Sequence, residues 1–125
     1  MKLNKENIPV TMEAPGTKMC AQTNFGGMTV GFNTLPKGTD FTPLLQGLAN
    51  DSCHCPHWGY VLKGAMQVIY DDGTEEVITE GDVFYLPAGH TAIVQDDIQL
   101  IDFNPAKEFD ELMDHVGKKM AEMGG

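Results

Sequence analysis

Residues 53–57 concentrate most of the side chains in this sequence that could bind a metal. The segment reads Cys-His-Cys-Pro-His and holds two of the three cysteines and two of the four histidines. Alternate side chains of an extended strand point to the same side, so Cys53, Cys55 and His57 are expected to share a face, with His54 on the other. Thiolates and an imidazole on one face could ligate a transition metal.

A fourth candidate ligand, His90, follows a Pro-Ala-Gly corner at residues 87–89. If the strands that hold the two segments lie side by side, His90 can meet Cys53, Cys55 and His57 at one point. Two Cys and two His suit zinc, and also accommodate ferrous iron, nickel or copper. Four protein ligands would close the coordination sphere, whereas three would leave a place for water or substrate. The alternative is that the cysteines are small buried apolar residues and the histidines bond backbone groups.

Four side chains near these ligands could line a ligand pocket, namely His54, Trp58, Tyr60 and Tyr85. For the aromatic residues, ordinary core packing is the alternative. The sequence has no Ser-His-Asp order, no phosphate-binding glycine loop and no clear pair of catalytic carboxylates.

The elements that must position these residues are short strands separated by turn residues. Residues 53–64 are expected to run as a strand that ends at a turn at Gly64. Further turns are predicted at Asp-Asp-Gly 71–73, Glu-Gly-Asp 80–82 and Gln-Asp-Asp 95–97. Residues 1–20 could add one or two strands. Strands are predicted over residues 28–35, 65–70, 74–78, 83–86, 91–94 and 98–103. This spacing is typical of a β-sandwich or barrel.

The connection over residues 36–52 is long and apolar, so it is expected to pack over the barrel as a lid or as a plug. Apolar residues at helical spacing then predict a C-terminal helix, with Asn104 as N-cap and Pro105 at its first position. The helix should cover the barrel or pair with a second copy. The chain therefore divides into a barrel over residues 1–104 and a helix over 105–125. The apolar stripe of the helix comprises Phe109, Leu112, Met113, Val116 and Met120.

Composition excludes several classes of function. A length of 125 residues suits one domain. The net charge of −10, without a basic stripe, argues against nucleic acid and anionic membranes as partners. The sequence shows no span-length apolar run and no signal peptide, and its odd cysteine count does not fit a disulfide framework. A cytoplasmic location is therefore expected.

The second half of the chain carries a known motif. Gly81, Pro87 and Gly89 match the pattern Gly-x5-Pro-x-Gly with a histidine soon after, and in this respect the sequence resembles the cupin superfamily, in particular small single-domain barrels of the cupin 2 type. In that family the histidine is expected where this chain has Ala92. His90 has the same strand parity, so it could still reach the interior.

The first cupin motif can be placed on the cysteine-rich segment. Counted forward from Gly47, its two histidine positions fall on Cys53 and Cys55. Counted back from Gly64, its glutamate position falls on His57. The residues at the family's ligand positions therefore differ in type from the family pattern, yet each is itself a good metal ligand.

The resemblance implies an all-β fold, a double-stranded β-helix or jelly-roll barrel, with a C-terminal α-helix. It also implies one divalent transition metal, zinc or iron ahead of nickel or manganese, together with a small polar ligand and a homodimer. Three roles stay open: a metal-binding protein with a ligand pocket, a metal-dependent isomerase, lyase or dioxygenase, and a metal-free ligand-binding cupin.

Overall fold

The computed structural model describes residues 1–124, and within them seven strands and two α-helices. The bounds are β1 Val10–Ala14, β2 Thr17–Phe25, β3 Met28–Leu35, α1 Thr42–Leu45, β4 His57–Tyr70, β5 Glu75–Thr79, β6 Val83–Leu86, β7 His90–Pro105 and α2 Ala106–Gly124. A short 3₁₀ turn, Ala49–Asp51, precedes the cysteine-rich segment. No helix in residues 1–124 has the length and apolar character needed to cross a membrane.

All strand pairs are antiparallel, in the order β1-β2-β3-β7-β4-β5, and β6 adds to β4. β4 and β7 are long enough to belong to two parts of the sheet. The first half of β4 pairs with β6, and its second half pairs with β5. The sheet therefore bends midway along β4 and β7 and folds its two parts over a common interior.

The bend corrects the sequence-based prediction of two turns. The ladder between β4 and β7 shifts register between Val61 and Met66, and Gly64 has φ 86° within this stretch. One common type of β-bulge places a glycine at positive φ, which bends the strand without breaking it. The predicted turn at Gly64 is therefore wrong. So is the turn at residues 95–97, which continue β7 on the facing strand of the same bend.

Other strands agree with the sequence pattern. β3 and β6 have the predicted bounds, and β5 is displaced by one residue from residues 74–78. The hairpin turn at Gly73 forms as expected, with its N–H donating to the Tyr70 carbonyl at 2.9 Å. The inward side chains of β3 to β7 form the main core, which consists of Leu35, Val61, Met66, Val68, Ile78, Phe84, Leu86, Ala92, Val94, Ile98 and Leu100.

The segment over residues 36–52 is a fixed wall of the barrel. Backbone bonds join it to β7, from Gly38 N to Val94 O at 2.9 Å and from Phe41 N to Ala92 O at 3.1 Å. Phe41 and the two leucines of α1 border an internal cavity. Of the two predicted roles, the backbone bonds favour a plug over a lid.

The C-terminal helix forms, but its predicted start is wrong. Pro105 is the last residue of β7, and Asn104 is fully buried in that strand, so it does not cap the helix. The helix begins at Ala106. Its side chains at Phe109 and Leu112 pack against the loop that carries Cys53. Residue 125, the last of the predicted helix, lies outside the described residues.

Candidate metal centre

Backbone hydrogen bonds bring together the two segments that carry the candidate ligands. The Cys53 N–H donates to the His90 carbonyl at 2.7 Å, and the Gly89 N–H donates to the Cys53 carbonyl at 2.7 Å. This isolated antiparallel bridge fixes the cysteine-bearing loop against the start of β7. His57 is the first residue of β4, which pairs with β7 on the same side of the barrel.

Three candidate ligands converge where these segments meet. One ligand atom from each of Cys53, His57 and His90 can be chosen so that all three lie within 4.8 Å of one another. Cys53 Sγ lies 3.5 Å from His57 Nε2, and the two imidazole rings meet edge to face with centroids 5.1 Å apart. Cys53 and His90 are buried, and His57 is half-buried. A thiolate and two imidazoles at this spacing form a donor set that suits zinc or iron.

The tautomer of His57 follows from the hydrogen bonds behind it. Asn104 Nδ2 lies 3.0 Å from Asp102 Oδ1 and 3.2 Å from the Thr29 carbonyl, so its amide nitrogen is the donor to both. Its Oδ1 then faces His57 Nδ1, with which it forms a hydrogen bond. An amide oxygen can only accept, so Nδ1 carries the hydrogen, and the lone pair of the neutral ring is on Nε2.

His90 is held in the same way by a different group. Its Nδ1 lies 2.7 Å from the carbonyl oxygen of Pro87, which can only accept. The lone pair of the neutral ring is therefore again on Nε2. Both imidazoles thus have an anchored outer nitrogen and a free inner one, the arrangement typical of histidines that ligate metals.

The carboxylate of Asp102 completes the support behind His57. A Cβ at position 31 would overlap this carboxylate. β3 and β7 can therefore pair here only because residue 31 is a glycine, Gly31. Burial raises the pKa of the Asp102 carboxyl, although nearby His57, the Asn104 amide and the Gly31 N–H act in the opposite direction. A buried chain from Asp102 through Asn104 therefore orients the imidazole of His57.

The thiols are protonated at neutral pH when no metal is bound. Burial raises the pKa of the Cys53 thiol from 9.0 to about 11, and that of Cys55 to about 12. All three cysteines of the chain are free. A metal that binds Cys53 must displace its proton, because the thiolate is the form that ligates.

The three ligands border a cavity of about 540 Å³ inside the barrel. Its other walls are mainly apolar side chains from the sheet, α1 and α2. The size lies within the range of small-molecule binding sites, which is about 300–1,000 Å³. An ion held by three protein ligands would therefore have a free coordination position in reach of a bound molecule.

Comparison with known proteins identifies the barrel. No protein-family model matches the chain, and no curated protein matches it in sequence. Solved structures do match in fold. An RmlC-like cupin from Shewanella frigidimarina NCIMB 400 superposes with a TM-score of 0.56 at 20% identity, over 82% of this chain and 88% of that chain. The chain has the cupin fold.

Two further solved structures are similar in fold. KdgF from a Halomonas species gives a TM-score of 0.55 at 20% identity, over 82% of this chain and 92% of that chain. The structure of HppE described as its Fe(II) form gives 0.58 at 10% identity, over 83% of this chain and 59% of that chain. The expected all-β jelly-roll barrel with a C-terminal helix is thereby confirmed.

Two of the predicted residues lie apart from the ligand cluster of the cupin barrel. Cys55 is buried, but its thiol donates to the Pro56 carbonyl at 3.4 Å. His54 is exposed, and its Nε2 lies 2.7 Å from the Ala49 carbonyl. The predicted alternation fails because residues 53–56 form a loop, and the strand starts only at His57.

The three aromatic residues expected near the pocket face outward from the cupin barrel. Trp58, Tyr60 and Tyr85 are 42%, 40% and 52% exposed, and none of them borders the cavity. Strand parity explains this, because His57 and Val61 point inward and the alternate residues of β4 must point outward. Trp58 stacks on Tyr85 of the neighbouring strand, with ring centroids 5.0 Å apart.

Sequence reasoning missed the support given by Asp102 and Asn104. Asn104 was interpreted as a helix cap. A signal was present, however, because Asp102 and Asn104 share strand parity with the buried Ile98 and Leu100. Polar side chains on the inward face of a strand must find buried partners, which makes them candidates for a functional network.

We expect the metal-free protein to lose stability as the pH falls from 6.5 to about 4. Burial, helped by the neighbouring His57, lowers the pKa of His90 from 6.5 to about 4. Over this window His90 is protonated in the unfolded chain and neutral in the native protein, so acid favours unfolding. The loss is on the order of 3 kcal/mol. Urea unfolding of chelator-treated protein at several pH values measures it.

The control for this prediction is His90→Gln, which cannot titrate. Its stability should fall less than that of the unmodified protein over the same window, since the contribution of His90 has been removed. Equal losses in both proteins would contradict a neutral buried His90.

Proposed function

We propose that this cupin binds one divalent transition metal through Cys53, His57 and His90, and binds a small molecule beside it. The convergence of these three side chains carries the proposal, because both imidazoles have their outer nitrogen anchored and their inner one free. A soft thiolate with two imidazoles favours zinc or iron, and disfavours manganese, magnesium and calcium, which prefer oxygen ligands.

The number of protein ligands decides whether the site would be a closed structural site or an open one. Cys55, which would have closed a four-ligand site, is not among the residues whose ligand atoms lie within 4.8 Å of one another. A tetrahedral ion would then keep one position for water or ligand on the cavity side. A bound ion would act there as a Lewis acid and polarise an oxygen donor of the ligand.

Elemental analysis of purified protein tests the proposal. Protein produced with zinc and iron supplied should contain about one transition-metal ion per chain, as a specific site of this donor type would give. Chelation should lower the melting temperature, because an ion that binds only the native state stabilises it. Protein that contains no metal under these conditions, and gains none on dialysis against zinc or ferrous iron, would contradict it.

A metal-dependent enzyme is the second candidate. The open position and the adjoining cavity favour it, since a purely structural ion is normally enclosed by protein ligands. The isomerase, lyase and dioxygenase classes remain alternatives within it. Loss of a measured turnover in chelated protein, and its return with one metal only, would distinguish it from a binding protein.

Two further expectations belong to the proposal. A homodimer is expected from the family resemblance, and sedimentation measures it directly. A cytoplasmic location agrees with three free cysteines, because a reducing compartment keeps thiols available for metal. The small polar ligand expected from sequence is less well supported, because the cavity walls are mainly apolar.

A further inference from the structure

We infer that the ligand of this site is a largely apolar molecule, alkyl or aryl, that carries a single oxygen-donor head group. The inference rests on the proposed metal site, which would hold the head group. Three features of the cavity carry it: the mainly apolar walls, the absence of a cation to receive a second charge, and the incomplete burial of the apolar stripe of α2.

The walls beyond the metal ligands are mainly hydrocarbon and thioether, and their polar minority consists of Thr11, Thr17, Thr23, Thr29, Thr39, Thr91, Asn33, Asp102 and Asp110. Leu44 and Leu45 come from α1, Phe109 and Leu112 from α2, and Met66 from the sheet. A polar ligand, such as a sugar, would lose more hydrogen bonds to water against these walls than the polar minority of side chains could replace. An apolar body loses none and gains the burial of its surface.

Charge excludes another class of ligand. The sequence contains no arginine. None of the described residues that border the cavity is a lysine. Two of them, Asp102 and Asp110, are acidic. Phosphate and polycarboxylate ligands are normally received by paired cationic side chains. The metal would be the single positive centre, so one anionic head group is the most that the cavity can receive.

The C-terminal helix supports the same conclusion. Phe109, Leu112, Met113 and Val116 of α2 all face the cavity, yet no residue of α2 is fully buried. A helix packed on a filled core normally buries such a stripe. Here Phe109 and Leu112 pack in part against the loop that carries Cys53, and the rest of the stripe borders the cavity, where an apolar ligand would complete its burial. Met113 can also adjust its shape to different ligands, because its side chain is unbranched and flexible.

Two hydroxamic acids with the same head group provide the test. The full-length zinc-loaded protein is titrated calorimetrically with octanohydroxamic acid and with acetohydroxamic acid. Both can ligate the metal, and only the first has a body that reaches the apolar walls. We expect octanohydroxamic acid to bind at least about 30-fold more tightly, since each buried methylene adds to affinity. Equal affinities in zinc-loaded protein would overturn the inference and leave the metal site intact.

A charge placed on the stripe locates the effect. In zinc-loaded protein, Leu112→Glu should lower the ratio of the affinity for octanohydroxamic acid to the affinity for acetohydroxamic acid at least about tenfold. The matched control is Gly117→Glu, an exposed position of α2 with no neighbouring atoms within 4 Å of an added Cβ. If both variants bind like the unmodified protein, the stripe does not contact the ligand and the inference fails.

The two proposals fail separately. If the protein takes up no zinc, the metal site is refuted, and octanamide against acetamide then tests the cavity alone by the same titration. Binding of octanamide only would support an apolar ligand, and binding of neither would refute it. In zinc-loaded protein, glucose 6-phosphate serves as the polar probe. Tighter binding of this probe than of octanohydroxamic acid would also overturn the inference.

Discussion

Cys53→Ser is expected to lower metal content from about one ion per chain to below about 0.1, because a serine hydroxyl is a poor ligand for zinc or iron. Cys53 Sγ lies 3.5 Å from His57 Nε2, so the substitution removes a donor from the centre of the cluster. Elemental analysis after dialysis against equimolar metal measures the content. Competition with a chromophoric chelator measures the affinity.

Cys55→Ser is the matched control. It exchanges the same atoms two residues away, at a site that is also buried, but its thiol bonds the Pro56 carbonyl. Metal content should stay near one ion per chain in this variant. Loss of metal in both variants would support the four-ligand closed site expected from the sequence. Retention in both would refute a role for the cysteines as ligands.

Asn104→Ala is expected to raise the metal dissociation constant about 10- to 100-fold, as loss of a group that orients a ligating histidine commonly does. The side chain is fully buried and bonds His57, Asp102 and the Thr29 carbonyl. Its removal takes one hydrogen bond from each of these three partners. The free energy of unfolding should therefore also fall by about 2–4 kcal/mol.

Gln99→Ala is the control variant for Asn104→Ala. It removes an amide from the same strand, but residue 99 has the opposite strand parity and is only half-buried. Both metal affinity and unfolding free energy should change little. If Asn104→Ala is destabilised while its metal affinity is unchanged, then His57 is either not a ligand or needs no support. Measurement of both quantities separates these effects.

The strands that sequence reasoning placed correctly are those with local determinants. β3 alternates apolar and polar residues and ends before Pro36, and the hairpin between β4 and β5 has Gly73 at its turn. Both signals act within a few residues. The continuity of β4 through Gly64 and of β7 through residues 95–97 depends on long-range pairing. The same glycine or Asp-Asp sequence can form either a turn or a bulge, and only the partner strand decides.

The candidate site could be predicted in part for the same reason. Residue type singled out Cys53, His57 and His90, and the resemblance placed them on one barrel. Whether Cys55 joined them depended on the strand starting at 53 or at 57, which the sequence leaves open. The role of Asn104 was hidden because the helix-capping preference of asparagine is a local signal. Its burial opposite His57 is a tertiary one.

The outward stacking of Trp58 on Tyr85 determines what optical measurements on this protein can report. Trp58 is the only tryptophan of the chain, and its ring lies on the outer surface of β4. Its fluorescence emission should therefore be quenched by iodide, and should stay constant when zinc or a hydroxamic acid enters the barrel. A blue shift of this emission on concentrating the protein would instead place the interface of the expected homodimer on the face formed by β4 and β6.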